Sequence, residues 1–259
     1  MVRRRLGQHF VADPNLLEMI VRESGVGAGD VVLEVGGGAG ALTELLAPRV
    51  RHLQVIEVDE RLRGELDATA RERGNVEVIW ADALQVDLAS LDPAPDKVVS
   101  NLPYAIATPL ILKTIEELDT VGSWTVLVQR EIAERLRAAP GSRTYGAPSV
   151  LVQLAAEVAL LRIVDRAVFT PRPRVDSALV ALRRRGPAAS DAVRRLVREA
   201  FAHRRKSLAR SLQLSGERGN GRRDAARAAL RDLGLPEDAR AESLSPQDFV
   251  RLADSLGAN

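Results

Sequence analysis

The segment Val31–Gly40 reads VVLEVGGGAG and determines how the first two thirds of the chain fold. Its first five residues predict a buried strand of a parallel sheet, and the glycines after them predict a tight turn into a helix. Gly36, Gly38 and Gly40 would let the backbone approach a ligand closely, and the helix N-terminus behind them favours polar or anionic groups. A tight structural turn without a ligand is the alternative interpretation.

The same alternation of strands and helices continues to about residue 182. Asp13-Pro14 predicts the start of a helix that Gly25 ends. Further strands are predicted at 53–58, 76–80, 97–100, 124–129 and 177–182, with helices near 60–73, 108–118 and 130–138 and mixed structure at 147–164. This alternation favours an α/β fold whose sheet is mostly parallel and flanked by helices.

Past Gly186-Pro187 the pattern becomes helical only, at 190–203, 205–214, 222–233 and 245–256. We therefore predict two domains, residues 1–186 and a small all-α domain over residues 187–259. Their charges differ: residues 1–179 hold 20 Lys and Arg against 25 Asp and Glu, whereas residues 180–259 hold 17 against 10. The C-terminal part is therefore the one that a polyanion would meet first.

Composition excludes several classes of protein. There is no cysteine among the 259 residues, which excludes disulfides and thiolate chemistry. His9, His52 and His203 are widely spaced, so no metal site is expected. The apolar runs are too short to cross a membrane, and the basic N-terminus has no apolar signal core after it. We expect a cytoplasmic protein without a metal.

The segment Val98–Tyr104, VVSNLPY, ends a predicted strand with an amide followed by a proline and an aromatic ring. In open α/β sheets, ligands bind beyond the carboxyl ends of the strands. Asn101 offers an amide oxygen, Leu102 and Pro103 offer carbonyls, and Tyr104 offers a flat face. This set suits a planar base with an exocyclic amine. A plain strand-to-loop turn with a packed tyrosine is the alternative.

Two acidic residues end neighbouring strands. Glu57 follows Gly36 by about 20 residues, where nucleotide-binding folds hold a ribose hydroxyl pair with a carboxylate. Asp82 could accept a hydrogen bond from an adenine amine. A solvated glutamate and a common Asp-Ala turn are the alternatives. The spacing of Gly36, Gly38 and Ala41 also fits a dinucleotide site, so glycine spacing alone leaves a nicotinamide cofactor open.

The loop Phe169–Ser177 is stiffened by prolines and begins with one of only eight aromatic residues. Phe169 and Tyr104 could sandwich an extruded base between their rings. Phe169 could equally anchor the loop to the core, and the residues alone do not separate the two interpretations.

Two basic clusters, Arg183–Arg185 and Ala202–Ser207, lie in or near the helical tail. Such runs are most often solvated helix faces. The positive balance of the tail favours contacts with nucleic-acid phosphates, which position a protein without reading sequence.

Taken together, these motifs resemble the S-adenosylmethionine-dependent rRNA adenine N6-dimethyltransferases, in particular the bacterial KsgA-type branch. The matching segments are Gln8-His9-Phe10, Glu34–Gly38, Glu57, Asp82, Asn101–Tyr104, Gln129–Arg135, Pro140–Ser142, Tyr145-Gly146, Phe169–Ser177, Arg204–Lys206 and Arg240–Ser245. The resemblance covers nearly the whole chain. Asn-Leu-Pro-Tyr is its most specific part.

The resemblance implies a Rossmann-like methyltransferase fold, with residues 1–186 catalytic and residues 187–259 binding rRNA. It implies transfer of two methyl groups to N6 of each of two adjacent adenosines near the 3′ end of small-subunit rRNA. The implied partner is the small-subunit rRNA, or the 30S subunit or its precursor, and we expect a monomer.

The resemblance also assigns site residues. The residues implied at the methyl-donor site are His9, Val11, Gly36, Gly38, Glu57, Asp82 and Asn101. The residues implied at the target base are Asn101, Leu102, Pro103, Tyr104 and Phe169. The family often has Asn at the position of His9, Leu at that of Val11 and Pro at that of Gly37.

Three alternatives stay open. A related branch methylates a large-subunit rRNA adenosine and confers macrolide resistance, and Pro140–Gly146 and Arg240–Ser245 favour the small-subunit branch. A ribosome-assembly factor without catalysis would not need Asn101 or Tyr104. A nicotinamide-dependent dehydrogenase would need a His or a Tyr-Lys pair for hydride chemistry, and no such pair is evident.

Overall fold

The strands of the computed structural model form one large sheet and one short ladder. The structure describes residues 9–215 and 221–257; Gln8, the first residue of the Gln-His-Phe segment, lies outside them. The strands are β1 (Phe10–Val11), β2 (Val31–Val35), β3 (His52–Glu57), β4 (Val76–Trp80), β5 (Lys97–Asn101), β6 (Ser123–Gln129), β7 (Ala156–Val164), β8 (Phe169–Thr170) and β9 (Ser177–Arg184).

Helices separate most of these strands and make up the C-terminal part of the chain. They are α1 (Pro14–Ser24), α2 (Ala41–Leu46), α3 (Arg63–Arg73), α4 (Ala107–Glu117), α5 (Arg130–Leu136), α6 (Ala147–Ala155), α7 (Asp191–Phe201), α8 (Leu208–Ser215), α9 (Arg222–Asp232) and α10 (Pro246–Ser255). No helix among the described residues is long and apolar enough to cross a membrane.

The large sheet has the strand order β4-β3-β2-β5-β6-β9-β7. The pairs β4-β3, β3-β2, β2-β5 and β5-β6 are parallel, and β9 is antiparallel to β6. The predicted α/β class with a mostly parallel, helix-flanked sheet is confirmed. The chain runs from β2 to one side and later returns to β5 on the other, which creates the crevice at which such sheets bind ligands.

Local sequence explains where α1 begins and ends. The Asp13 side chain accepts a hydrogen bond from the Asn15 amide at 2.9 Å, and Pro14 occupies the first helical turn. Gly25 ends the helix with φ +57°, a left-handed conformation that favours glycine. Leu16, Leu17 and Ile20 of this helix are buried in the same core cluster as Val32 of β2 and Leu42 of α2.

The ladder between β2 and β5 stops before the strands do. Its paired residues end at Leu33 and Val98, although β5 continues to Asn101. Beyond that point the Val35 amide donates to the buried Ser100 hydroxyl at 2.9 Å. A side chain therefore replaces the backbone acceptor where the two strands separate.

The chain divides into two compact units. One comprises residues 1–133 and 157–184, and the other comprises residues 134–156 and 185–259. The predicted division fell at residue 186 and placed 134–156 with the sheet. The structure groups that segment with the C-terminal helices instead: the Tyr145 hydroxyl donates to the Leu244 carbonyl at 2.9 Å, and its ring lies 6.0 Å from that of Phe201.

Candidate active site

The glycine turn after β2 leaves almost no room for side chains. Gly36 and Gly38 have φ of +82° and +57°. A Cβ on Gly36 would lie 3.2 Å from Pro103 Cδ, and one on Gly38 would lie 2.9 Å from Phe10 Cε1. The turn is therefore enclosed by the loop after β5 and by the N-terminal strand, and glycine is required at both positions.

Glu57 is held in one orientation at the end of β3. The residue is 3% exposed, and its Oε2 accepts from the Gly38 amide at 2.9 Å. Its Oε1 accepts from the amides of Val58 and Asp59, each at 2.8 Å. A carboxylate has about four acceptor positions. Three are used here, so this carboxylate fixes the glycine turn and keeps one position, on Oε2, for a further donor such as a ribose hydroxyl.

Asp82 and Glu57 line one cavity of about 150 Å³ beyond β3 and β4. Asp82 is exposed, and its Oδ1 accepts from the Leu84 amide at 2.9 Å, which orients the carboxylate. The rest of the lining is largely apolar and includes Val35, Ile56, Val58, Ala83, Pro103 and Ile106. An apolar slot with a carboxylate at its edge suits a flat base that donates from an amine.

Asn101 lines a second cavity, of about 40 Å³, together with His9, Phe10, Gly36, Gly38, Glu57, Leu102, Pro103 and Tyr104. The Asn101 amide nitrogen donates to the His9 carbonyl at 3.1 Å. This bond identifies which end of the amide is the donor, and leaves Oδ1 as an acceptor for a ligand. The Leu102 side chain is buried, so its part in packing is separate from that of its carbonyl.

Tyr104 is fixed at both its hydroxyl and its ring. Its hydroxyl lies 2.6 Å from the Ser177 hydroxyl, at the start of β9. Partial burial raises the pKa of Tyr104 above its ordinary value, so the phenol is neutral at physiological pH. The ring lies 5.4 Å from the His9 imidazole, tilted by 34°.

Phe169 lies in the core in this structure. It is 2% exposed and pairs with Val11 in the short β1-β8 ladder. Val11 is buried in the same cluster, and neither residue lines the two cavities described above. The structure therefore shows the anchoring contact, whereas closing over a base would require the Phe169 ring to leave the core. Phe10 lines the smaller cavity, a role that its position in a short polar lead-in did not predict.

Glu34 is a buried carboxyl next to the site. It is 1% exposed, and the Thr43 hydroxyl donates to its Oε2 at 2.7 Å. Burial, together with the negative charge of Glu57, raises the pKa of Glu34 to about 8. The group is therefore mostly protonated at neutral pH. Sequence periodicity placed it in a buried strand but gave no sign of its protonation.

The two predicted basic clusters each contain one arginine that is used structurally. Arg184 donates to the carbonyls of Val121 and Leu118, at 2.6 and 2.8 Å. Arg204 donates to Glu242 Oε2 at 2.8 Å and to the Arg143 carbonyl at 2.6 Å. The exposed basic members of the clusters are Arg183, Arg185, His203, Arg204, Arg205 and Lys206.

A family model described as ribosomal RNA adenine dimethylase matches residues 1–257. The chain belongs to this family. The dimethylase uses S-adenosylmethionine as its methyl donor. The residues that line the two cavities fit S-adenosylmethionine. They provide an apolar slot with a carboxylate at its rim and a second carboxylate beside it. They also include a glycine turn that a Cβ would obstruct.

Relatives and solved structures agree with this family. The chain is 43% identical to ribosomal RNA small subunit methyltransferase A of Rubrobacter xylanophilus, over 96% of this chain and 93% of the relative. It is 42% identical to the protein of the same name from Thermobifida fusca, over 97% and 89%. A dimethyladenosine transferase from Plasmodium falciparum superposes with a TM-score of 0.79 at 27% identity, covering 94% of this chain and 96% of that one. The 23S rRNA methyltransferase ErmE gives 0.68 at 27% identity, covering 96% and 99%.

Proposed function

We propose that the chain transfers methyl groups from S-adenosylmethionine to N6 of two adjacent adenosines near the 3′ end of small-subunit (16S) rRNA, producing N6,N6-dimethyladenosine. The names of the relatives support the small-subunit substrate. One observation in the structure supports the chemistry: the Asn101 amide nitrogen donates to the His9 carbonyl, which leaves the amide oxygen as the acceptor of a residue that lines the cavity.

The target amine is a poor nucleophile because its lone pair is delocalised into the adenine ring. Asn101 Oδ1 and the Leu102 carbonyl would accept its two hydrogens and favour a pyramidal nitrogen whose lone pair faces the methyl group. The Tyr104 ring would stack on the base, and Pro103 would stiffen the turn. Phe169 would close the other face if its ring left the core. Positioning and polarisation would then supply most of the rate.

The methyl-donor site would be formed by the glycine turn and the strand ends around it. Glu57 would accept from a ribose hydroxyl, and Asp82 would accept from the adenine amine of the donor. Gly36 and Gly38 allow the close backbone approach that this requires. His9 lines the same cavity, while Val11 would act from the core by holding the N-terminal strand. Bound S-adenosylmethionine supplies an activated methyl group, so no strong base is required.

The exposed basic residues of the helical unit would hold the rRNA backbone. His203, Arg205 and Lys206 are exposed in the turn after α7, while Arg204 fastens that turn to Glu242. Such contacts give affinity and register, and the base is selected at the cavity. We propose that the protein acts as a monomer.

The decisive experiment compares the wild type with Asn101→Ala and Asn101→Asp on unmethylated small subunits. Wild type should yield dimethyladenosine in digested rRNA. Asn101→Ala removes the acceptor, and Asn101→Asp removes the donor that His9 holds, so each should lower the rate of methyl transfer by about 100-fold or more. Binding of S-adenosylmethionine, measured by calorimetry, should survive in part.

The same assay separates the alternatives. Near-normal dimethylation by Asn101→Ala would refute the assigned role. Methylation of large-subunit rRNA only would favour the macrolide-resistance branch. Binding of small subunits without any methyl transfer by the wild type would favour an assembly factor that does not catalyse.

A further inference from the structure

His9 contributes both its backbone and its ring to the smaller cavity. Its carbonyl accepts from Asn101, and its imidazole lies 5.4 Å from the Tyr104 ring. Its Nδ1 lies 2.7 Å from the Pro171 carbonyl, which belongs to the loop after β8. The ring is therefore held on two sides, next to the residue that receives the target amine.

These contacts determine which nitrogen of the imidazole carries the proton. A proline carbonyl can only accept a hydrogen bond, so Nδ1 must donate and must be protonated. In a neutral imidazole Nε2 is then an acceptor with a free lone pair. Among the residues that the structure describes, nothing donates to His9 Nε2. The fold thus presents a weak base, in a fixed tautomer, at the cavity that holds Asn101 and Tyr104.

We propose that His9 Nε2 is the acceptor of the proton that the adenine N6 loses during methyl transfer. The inference rests on the proposed function. The N6 lone pair forms the new N–C bond, the C–S bond of the donor breaks, and its electron pair stays on sulfur. N6 then carries a positive charge and releases one proton. One of the two N6 hydrogens leaves its hydrogen bond with Asn101 Oδ1 or the Leu102 carbonyl and passes to Nε2 as a proton, and the imidazolium returns it to solvent from the partly exposed ring.

Charge favours the same assignment. The reaction brings together a cationic methyl donor and an amine that becomes cationic, so a neutral imidazole is compatible with both and an imidazolium is not. Tyr104 and Glu57 are the other titratable groups lining the cavity, and the adjoining loop carries Arg172 beside Asp165 at 4.0 Å. These four groups are present in the wild type and in His9 variants alike. A difference between the two pH profiles therefore reports on His9.

The first test reads the imidazole directly, without catalysis. The chain has three histidines, so ¹⁵N spectra of ring-labelled protein can be assigned with His9→Asn, which removes one set of signals. We expect the neutral His9 ring to show a protonated Nδ1 and an unprotonated Nε2, and the titration gives its midpoint. The opposite tautomer would overturn the proposal.

The second test measures single-turnover methyl transfer at saturating S-adenosylmethionine between pH 5.5 and 8.5. The wild-type rate should fall below the midpoint found by NMR, about tenfold per pH unit. His9→Asn should be about tenfold slower on the plateau and should lose this dependence. His52→Gln, a histidine substitution at the opposite end of β3, should behave like the wild type.

Each outcome decides the matter. Identical pH profiles for wild type and His9→Asn would overturn the proposal, as would an effect confined to the KM for S-adenosylmethionine. Absence of dimethyladenosine with the wild type at every pH would instead refute the proposed function, which keeps the two failures distinguishable.

Discussion

Two buried carboxyl groups near the ends of neighbouring strands differ in the number of hydrogen-bond donors around them. Glu57 accepts three backbone hydrogen bonds, from Gly38, Val58 and Asp59, so its charge has partners although it is buried. Glu34 has one hydroxyl donor, and burial keeps it mostly protonated at neutral pH. Both carboxyls are buried, and Glu34 has one donor where Glu57 has three.

Glu34 should make the free energy of unfolding depend on pH. Its folded pKa of about 8 exceeds the ordinary 4.5, so the folded chain keeps a proton that the unfolded chain loses. The contribution of Glu34 to stability should therefore be full below about pH 4.5 and fall as pH rises towards 8, by about 1.4 kcal/mol per unit. Glu34→Gln should flatten this slope in urea denaturation between pH 5.5 and 8.5. Glu44→Gln, exposed on α2, is the control, and an equal slope in Glu34→Gln and wild type would contradict the prediction.

At the scale of elements, the separation of β2 from β5 opens the crevice in which the site lies. The ladder between them ends at Leu33 and Val98, and the next bond across the gap is made by a side chain. Ser100 therefore bridges the strands while allowing them to diverge, and it directly precedes Asn101. We therefore expect the position of Asn101 to depend on this bridge.

Replacing Ser100 by alanine should leave the Val35 amide buried without an acceptor. We expect the free energy of unfolding to fall by about 1–3 kcal/mol. Hydrogen exchange at the Val35 amide should accelerate in the same variant. Ser90→Ala, which removes an exposed hydroxyl bonded to the Asp87 carbonyl, should change neither quantity. Unchanged exchange at Val35 would show that the bridge does not hold the strands.

Element prediction from sequence succeeded where periodicity is long and failed where pairing is short or distant. The strands before and after the glycine turn were predictable because apolar runs and punctuating glycines coincide there. The β1-β8 ladder was not, because two residues carry no periodicity and their partners lie about 160 positions apart. Phe169 was left ambiguous for the same reason: its burial depends on Val11, which no local pattern reveals.

At the scale of the whole molecule, the grouping of residues 134–156 with the C-terminal helices could not be predicted from local sequence patterns either. Tyr145 supplies the contacts with Leu244 and Phe201, and a buried tyrosine gives no sign in sequence of which helices surround it. Gly36, Glu57, Asp82 and Asn101, four of the residues predicted for the site, could be placed at one sheet edge from sequence because each lies at or within two residues of a strand end. What the sequence could not supply was their hydrogen bonding, such as the bond between Asn101 and the His9 carbonyl.

Residues 180–259 carry an excess of positive charge. We therefore expect the affinity for rRNA to depend on salt concentration. Replacing both Arg205 and Lys206 by alanine should weaken binding to small-subunit rRNA. The slope of log affinity against log salt should decrease in magnitude by about one for each phosphate that is no longer neutralised. Arg22→Ala, an exposed arginine of α1, is the matched control in filter-binding titrations. An unchanged slope in the double variant would place the phosphate-binding residues elsewhere.

The hydrogen bond from the Asn101 amide nitrogen to the His9 carbonyl also affects which bases the cavity would exclude. One hydrogen of the amide nitrogen is used in this bond, and under the proposed function the amide oxygen faces the target base. A base that carries a keto oxygen where adenine carries its amine would set oxygen against oxygen, without a hydrogen to share. Sites in which a buried polar group is left unpaired in this way reject the wrong molecule far more strongly than sites that merely lack room. A deaminated adenosine in the same rRNA position would thus be excluded by an amide that is prevented from turning over.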